Sequence, residues 1–309
     1  MAVNLDFLLV ADPIPYSDIT SLNERAPNLI VYVLPVIFGA VILEFIYARW
    51  HNFKTHDLTE AFGSLLVGLI NLMVSLVIKV SLFFGAVFIY NLVPWRMEFN
   101  WWTLIPCFIL YDLCSYWSHR ISHEVRILWA THVVHHSAES YNLTVAFRQS
   151  AVQHVKIIFF LPIAFLGFHP VIFFVANQLS TIYQFWVHTE MIGKIHPWVD
   201  KWFCTPSSHR VHHGSQKQYL DRNYGAVFMV WDHIFGSFEP EDEKPKFGLT
   251  TPLDAKLDPL KLNFHEFVDI YQDVKNSQSW KQKLFFIFAS PAKVALYKER
   301  EKKPPLMNQ

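Results

Sequence analysis

Four apolar stretches, each long enough to cross a lipid bilayer or dip into one, constrain this chain more than any other feature. A helix needs roughly 20 apolar residues for a crossing. Residues 28–48 supply one such run and residues 100–118 another. Residues 61–93 are apolar apart from Lys79. That run is too long for one straight crossing and slightly short for two, so it is either one long tilted helix or a tight hairpin near Lys79. Residues 150–187 hold two shorter stretches split by Gly167, Phe168, His169 and Pro170. Glycine and proline interrupt helices, which predicts a helical hairpin that dips in and returns. Composition agrees: 52% of residues are hydrophobic and 17% charged, against about 25% charged in soluble domains.

A hairpin at 150–187 leaves two polar, histidine-rich stretches, 119–149 and 188–240, on one side of the membrane. They carry Arg120, Arg126, Arg148, Lys194, Lys201, Arg210, Lys217 and Arg222, and the positive-inside rule places them in the cytoplasm. The loop 49–60, with Arg49 and Lys54, belongs on the same side, which favours one crossing for 61–93. The expected fold is all-α: a polytopic membrane helical bundle with a cytosolic helical cap. The expected division is an N-terminal segment 1–27, a membrane-embedded catalytic domain 28–240 and a cytosolic tail 241–309. In the tail, Trp280–Tyr297 reads first as a segment packed on the cap, with an interfacial anchor as the alternative. The first basic residue is Arg25 and the apolar run Phe7–Ala11 is short, which is unlike a cleaved signal peptide. Zero net charge gives no reason to expect a nucleic-acid partner. Cys107, Cys114 and Cys204 lack the spacing of a disulfide framework.

Histidine is the outlier, with 16 residues placed far from randomly. His119 and His123 emerge from the end of the third apolar run, four apart and so on one helix face. Asp112 shares that face and is a candidate to accept a ligand ring N–H, or to make a helix–helix hydrogen bond. His132, His135 and His136 form a second box, and His209, His212 and His213 repeat it after a Thr205–Ser208 helix start. In each, spacings of three and four predict all three rings on one helical side. His188 ends the hairpin. Neutral imidazole suits iron or zinc, a single histidine is usually a hydrogen-bonded core residue, and eight or nine clustered ones exceed the needs of one ion. Two metals follow. The other histidines read as ordinary side chains: His51, His56 and His265 at the surface or an interface, His154 and His169 alone in the hairpin, His196 in a loop, and His233 outside the centre.

At these boxes the sequence resembles the fatty acid hydroxylase / sterol desaturase superfamily, whose hallmark is HxxxH, HxxHH and HxxHH. Within it, the phrases HHSAESYNLTVAFRQS (135–150), YQFWVHTE (183–190), SSHRVHHG and DRNYG (207–225) and WDHIFGSFE (231–239) are similar to the alkylglycerol monooxygenases. The resemblance covers roughly residues 30–240. It implies a di-iron centre, two Fe²⁺ ions, with ligand roles for His119, His123, His132, His135, His136, His188, His209, His212 and His213. It implies O₂ as cosubstrate, a membrane lipid as substrate, and electrons from tetrahydrobiopterin or from another donor, protein or pterin. Gln184 stands where some fatty acid hydroxylases carry a further histidine. Hydroxylation of a lipid C–H is the expected reaction, with cleavage of an alkylglycerol ether bond implied by the closer resemblance. Glu124, beside His123, is a candidate to orient or protonate groups, or is a surface charge. Asn223 is a weaker candidate to hydrogen-bond metal-bound water.

The rivals are a sterol or fatty acid hydroxylase or desaturase of the same superfamily, a membrane zinc hydrolase and a metal transporter. A zinc hydrolase uses three protein ligands and a carboxylate base, fewer than the boxes offer. A transporter places its ligands near the bilayer midplane, whereas these histidines lie at the edges of the apolar runs.

Overall fold

The computed structural model describes residues 11–302; most of the Phe7–Ala11 run lies outside the described residues. No strand forms among the described residues, where a lone bridge joins Phe203 and Phe228. Two helices open the bundle, α1 (Leu29–Trp50) and α2 (Leu58–Leu92). Asp57 starts α2 by accepting the amides of Thr59 and Glu60 at 2.8 and 3.2 Å, which satisfies donors that a first turn leaves free. The helix then runs unbroken through Lys79, so the run forms one helix and no hairpin. Its 35 residues span about 52 Å at 1.5 Å per residue. Both helices are long and apolar enough to cross a membrane, and only 11% of their most apolar windows is buried. A core helix of a soluble protein would show the opposite.

The third helix, α3 (Leu104–Glu124), runs six residues past the expected end at 118 and so carries the first histidine pair within its last turns. It packs along α4 (Pro170–Phe185). Cys107, Tyr111 and Cys114 meet Ile172, Phe173 and Ala176 there, and Asn177 donates to the Tyr111 hydroxyl at 2.7 Å. The 16 residues of α4 reach about 24 Å, short of the roughly 30 Å hydrocarbon core. Its partner arm is a 3₁₀ helix, Gln153–Phe160, continued by Leu161–Phe165. The turn between the arms falls at Gly167, whose φ is +80° and where a Cβ would meet the Trp95 carbonyl oxygen at 2.4 Å. Only glycine suits both conditions. The predicted hairpin is therefore present, with a tighter first arm than a regular helix.

Loops and single-turn helices of residues 125–149 and 188–240 cap this bundle. Residues beyond 240 pack back onto it through α5 (Pro259–Asn276) and α6 (Trp280–Phe288). Leu262 of α5 joins Val67 of α2 and Val134 of the second histidine box in one buried cluster. The buried Arg126 guanidinium, between the first two boxes, binds Glu266 and Asp273 of α5, each at 2.6 Å, and the Phe286 carbonyl of α6 at 3.2 Å. The tail from 280 is thus packed on the cap on this side, with Phe286 and Val294 buried.

Candidate metal centre

The nine histidines named from the sequence converge and separate into two groups. His119, His123, His132, His136 and His212 form one; His135, His188, His209 and His213 form the other. Within each group, one nitrogen from every ring lies within 4.8 Å of the rest. Neither HxxHH box presents its three rings to one point. The second box sends its i, i+4 pair, His132 and His136, to the five-member group and His135 to the other. The third box does the reverse, sending His209 and His213 to the four-member group and His212 to the first. The reason is helical geometry: residues four apart stack on one face, and the third ring is rotated off it.

Local structure aims each ring. The third box sits on Pro206–His212, a helix whose Thr205 and Ser208 exchange side-chain and backbone hydrogen bonds as a capping box, with proline at its start. The Nδ1 atoms of His119, His212 and His188 lie 2.9, 2.9 and 2.8 Å from the carbonyl oxygens of Tyr224, Arg222 and Gln184. A carbonyl can only accept, so those Nδ1 atoms carry hydrogen and Nε2 keeps its lone pair. The Gln184 side chain instead donates to Ser180.

The lone pairs then face one another. His188 Nε2 lies 3.0 Å from that of His209 and 3.2 Å from that of His135, which is 3.1 Å from that of His213. In the other group His136 Nε2 lies 3.1 Å from His212 Nε2 and 3.3 Å from His132 Nε2. Nitrogens bound at right angles to one ion, each about 2.1 Å away, sit about 3.0 Å apart. His119 Nε2 and His123 Nε2 are buried without any partner, an arrangement that is costly unless a cation completes it. The donor set therefore fits a pair of imidazole-loving metal ions, and neither group contains a carboxylate.

Burial, reinforced by neighbouring rings, holds His132, His135, His136, His209, His212 and His213 well below the ordinary histidine range, and burial brings His188 to about 4. The rings are neutral and ready to ligate. The sign follows from linkage: between the unfolded value near 6.5 and the folded value near 4, the unfolded chain binds more protons. Stability is therefore intact above about pH 6.5 and lost as pH falls towards 4. The unfolding midpoint of metal-stripped protein in detergent, followed by scanning calorimetry, should drop across that window; a flat profile would mean that the rings are not held neutral.

Of the two partners expected for Asp112, the structure shows the one on another helix, Trp231 of Val230–Phe235, and not a ligand ring. Its carboxylate accepts the amides of Val227 and Phe228 at 2.9 and 3.1 Å and the Trp231 indole N–H at 2.8 Å, with no histidine among its partners. It fixes the segment behind the third box rather than a ligand ring. An Asp112→Asn change puts an NH₂ group among three donors, so at least one is left unmatched, and stability should fall by about 1–3 kcal/mol. Thermal unfolding would register this, with metal content unchanged. Glu124 points outward and pairs with Arg120 at 2.8 Å, the surface-charge reading. Asn223 is held by the carbonyls of Ser208 and Glu239 and by the Glu239 amide. Its side chain positions the loop and is not free for a metal-bound water.

Around the centre, the parts played by Asp221, Asp232, Tyr224, Glu60 and Glu44, and the backbone role of Asn223, left no sign in the sequence. Asp221 and Asn223 both adopt positive φ, 60° and 56°, which Asp and Asn tolerate better than other side chains, and this bends the Arg222 and Tyr224 carbonyls onto the rings of His212 and His119. Asp232 clamps the amides of Tyr224 and Gly225 at 2.8 Å each. Tyr224 lies with its ring centroid 5.4–5.9 Å from those of His119, His123 and His212, and its buried hydroxyl has no partner. Glu60 accepts the amides of Glu139 and Ser140 at 2.9 and 2.7 Å and faces Arg148 at 3.4 Å. Glu44 accepts the Leu143 amide at 2.8 Å and the Thr189 hydroxyl, and lies 3.4 Å from His56. His56 thus sits at the interface of α1 and the loop before α2, half-buried beside Glu44. His233 stacks on Phe238 away from both groups.

Residues 104–237 match the family model for fatty acid hydroxylase. The chain is 35% identical over 276 residues to alkylglycerol monooxygenase of Homo sapiens, covering 87% of this chain and 60% of the relative. It is 39% identical over 193 residues to alkylglycerol monooxygenase of Caenorhabditis elegans, 60% of this chain and 38% of the relative. It is 25% identical over 160 residues to the ornithine lipid hydroxylase OlsE of Rhizobium tropici, 50% of this chain and 47% of the relative. The chain spans about 60% of the length of the first of these relatives. No solved structure matches. All nine converging histidines fall inside the matched segment, and over residues 104–237 this chain carries a domain of the fatty acid hydroxylase family.

Proposed function

We propose that this chain is an O₂-dependent, integral membrane monooxygenase that hydroxylates a lipid C–H, holding two iron ions in the two histidine groups. The observation that carries the reading is the convergence of nine neutral imidazoles on two adjoining points, inside a fatty acid hydroxylase domain. Bound iron would supply the activation of O₂ needed for an unreactive C–H. The chain's own part is to hold nitrogen lone pairs in place, to keep water out by burial, and to present the Tyr224 hydroxyl to whatever binds beside the five-histidine group. A carboxylate-assisted hydrolysis has little support, because no carboxylate joins either group.

Membrane placement is supported by α1 and α2, whose apolar side chains stay exposed, and the apolar 153–185 hairpin would dip in beside them. Of the basic residues that argue for a cytoplasmic cap, Arg126, Arg148 and Arg210 are buried in ion pairs. Arg120, Lys194, Lys201, Lys217 and Arg222 are left to carry the topological signal.

Similarity to alkylglycerol monooxygenases points to an ether lipid as substrate. Hydroxylation of the carbon beside the ether oxygen gives a hemiacetal, which collapses to an aldehyde and glycerol, with electrons drawn from tetrahydrobiopterin or another donor. The assay is iron-reconstituted protein in detergent with O₂, tetrahydrobiopterin and an alkylglycerol, followed by mass spectrometry for fatty aldehyde. Aldehyde that requires iron, O₂ and His135 is the expected result. Bound iron without aldehyde would redirect the substrate to sterols or fatty acids, and failure to bind stoichiometric metal would overturn the reading.

A further inference from the structure

Helices α5 and α6 present their apolar side chains in the wrong direction for parts of a water-exposed cap. On α5, Leu260, Phe264, Val268 and Tyr271 are exposed at spacings of four, four and three, which lines them along one face. The opposite side holds Leu262, Asn263 and Ile270, which are buried, and the acids that grip Arg126. On α6, Trp280, Leu284 and Phe288 repeat the exposed stripe at intervals of four. Tyr271 is 66% and Trp280 77% exposed. Contiguous apolar surface on this scale marks a binding face.

Two further observations identify what lies against it. The first is continuity with α2. The chain leading into α5 touches that helix so closely that a Cβ on Gly63 would meet the Lys256 carbonyl oxygen at 1.9 Å and the Leu257 Cα at 3.8 Å. Leu58 and Phe62 beside that contact are exposed on α2, and Leu257 is exposed where α5 begins. The outer apolar face of α2 therefore continues through Leu257 onto the α5 stripe. The second is the pattern of cations. Lys261, Lys275 and Lys281 are exposed along the stripes, and the Lys283 ammonium lies 5.0 Å over the Trp280 ring. Tryptophan and tyrosine beside lysines with long apolar stems suit the headgroup level of a bilayer.

We propose that α5 and α6 lie in the plane of the membrane interface, their apolar stripes among the upper acyl chains and their lysines on anionic headgroups. The proposal rests on α2 being membrane-embedded. It gives the interface a link to the metal centre, since the inner face of α5 holds Arg126 and packs Leu262 on Val134 of the second histidine box. The bilayer surface would thus brace the box from outside.

The test is site-directed spin labelling of the full chain in nanodiscs of phosphatidylcholine and phosphatidylglycerol. The three native cysteines are buried, so labels go to Val268→Cys, Leu284→Cys, Asp269→Cys as a water-facing control and Val77→Cys on the exposed middle of α2. Collisions with O₂ and with an aqueous nickel chelate report depth. Labels at 268 and 284 should collide severalfold more with O₂ relative to the chelate than the label at 269, and less so than the label at 77. Chelate access at 268 and 284 equal to that at 269 would overturn the proposal. Shielding of both sites from both reagents would also overturn it, because protein rather than lipid would then cover the face. Free chelate access at 77 would instead remove the membrane reading on which the proposal rests.

Discussion

Replacing His209 by alanine should remove about half of the metal that the wild-type chain binds, whereas replacing His119 should weaken binding without emptying a site. The difference lies in the ligand count. The group containing His209 has four rings and the group containing His119 has five. Loss of one from four leaves three nitrogens, one short of a closed four-ligand set, while loss of one from five still leaves such a set. His209 Nε2 also makes the 3.0 Å approach to His188 Nε2, so its removal opens the group at its tightest point. Metal content by mass spectrometry of iron- or zinc-loaded protein measures both variants. A His233→Ala variant should match wild type, since that ring stacks on Phe238 and reaches only the Lys201 carbonyl. Equal metal loss in the His209 and His119 variants would show that the two groups are not separate sites.

Replacing Glu60 by alanine should destabilise the fold by about 3–5 kcal/mol, the range expected when one partner of a buried ion pair is removed. Three groups depend on this carboxylate: the amides of Glu139 and Ser140 and the guanidinium of Arg148, which is 1% exposed. Alanine leaves all three without their acceptor. Because Glu139 and Ser140 lie three and four residues after His136, the loop that ends the second box should loosen too, and metal affinity should fall along with the melting temperature. The diagnostic variant is the double change Glu60→Ala with Arg148→Met. It removes the stranded charge and should recover part of the loss, whereas the two amides stay unmatched. Thermal unfolding in detergent with and without metal separates the contributions; a Glu60→Ala protein as stable as wild type would show that water reaches the pair.

The histidine boxes were legible in the sequence because ligand spacing of three and four is a local property of a helix. Their division between two groups was not, because it depends on how the end of α3, the Val133–His136 turn and the Pro206–His212 helix approach one another. The single course of α2 through Lys79 was legible only indirectly: a charge within an apolar run fits a turn as well as a helix, and the basic loop 49–60 favoured one crossing. Glu60 closes the loop 49–60 and carries no signal of its own in the sequence, because its partners lie about 80 residues away in the chain. The sequence leaves Asp112 open between a ligand ring and another helix, for a similar reason. Periodicity placed it on the face of His119, but its three donors come from residues 227–231, beyond the reach of any helical wheel.

The exchange of rings between the two HxxHH boxes has a consequence for how the sites fill. An ion in the five-histidine group fixes the backbone turn that also aims His135, and an ion in the four-histidine group fixes the one that also aims His212. Occupancy of either group therefore lowers the ordering entropy that the other still has to overcome. A titration should be steeper than two independent sites allow, and by reciprocity each ion must raise the affinity for its neighbour by the same factor, whichever arrives first.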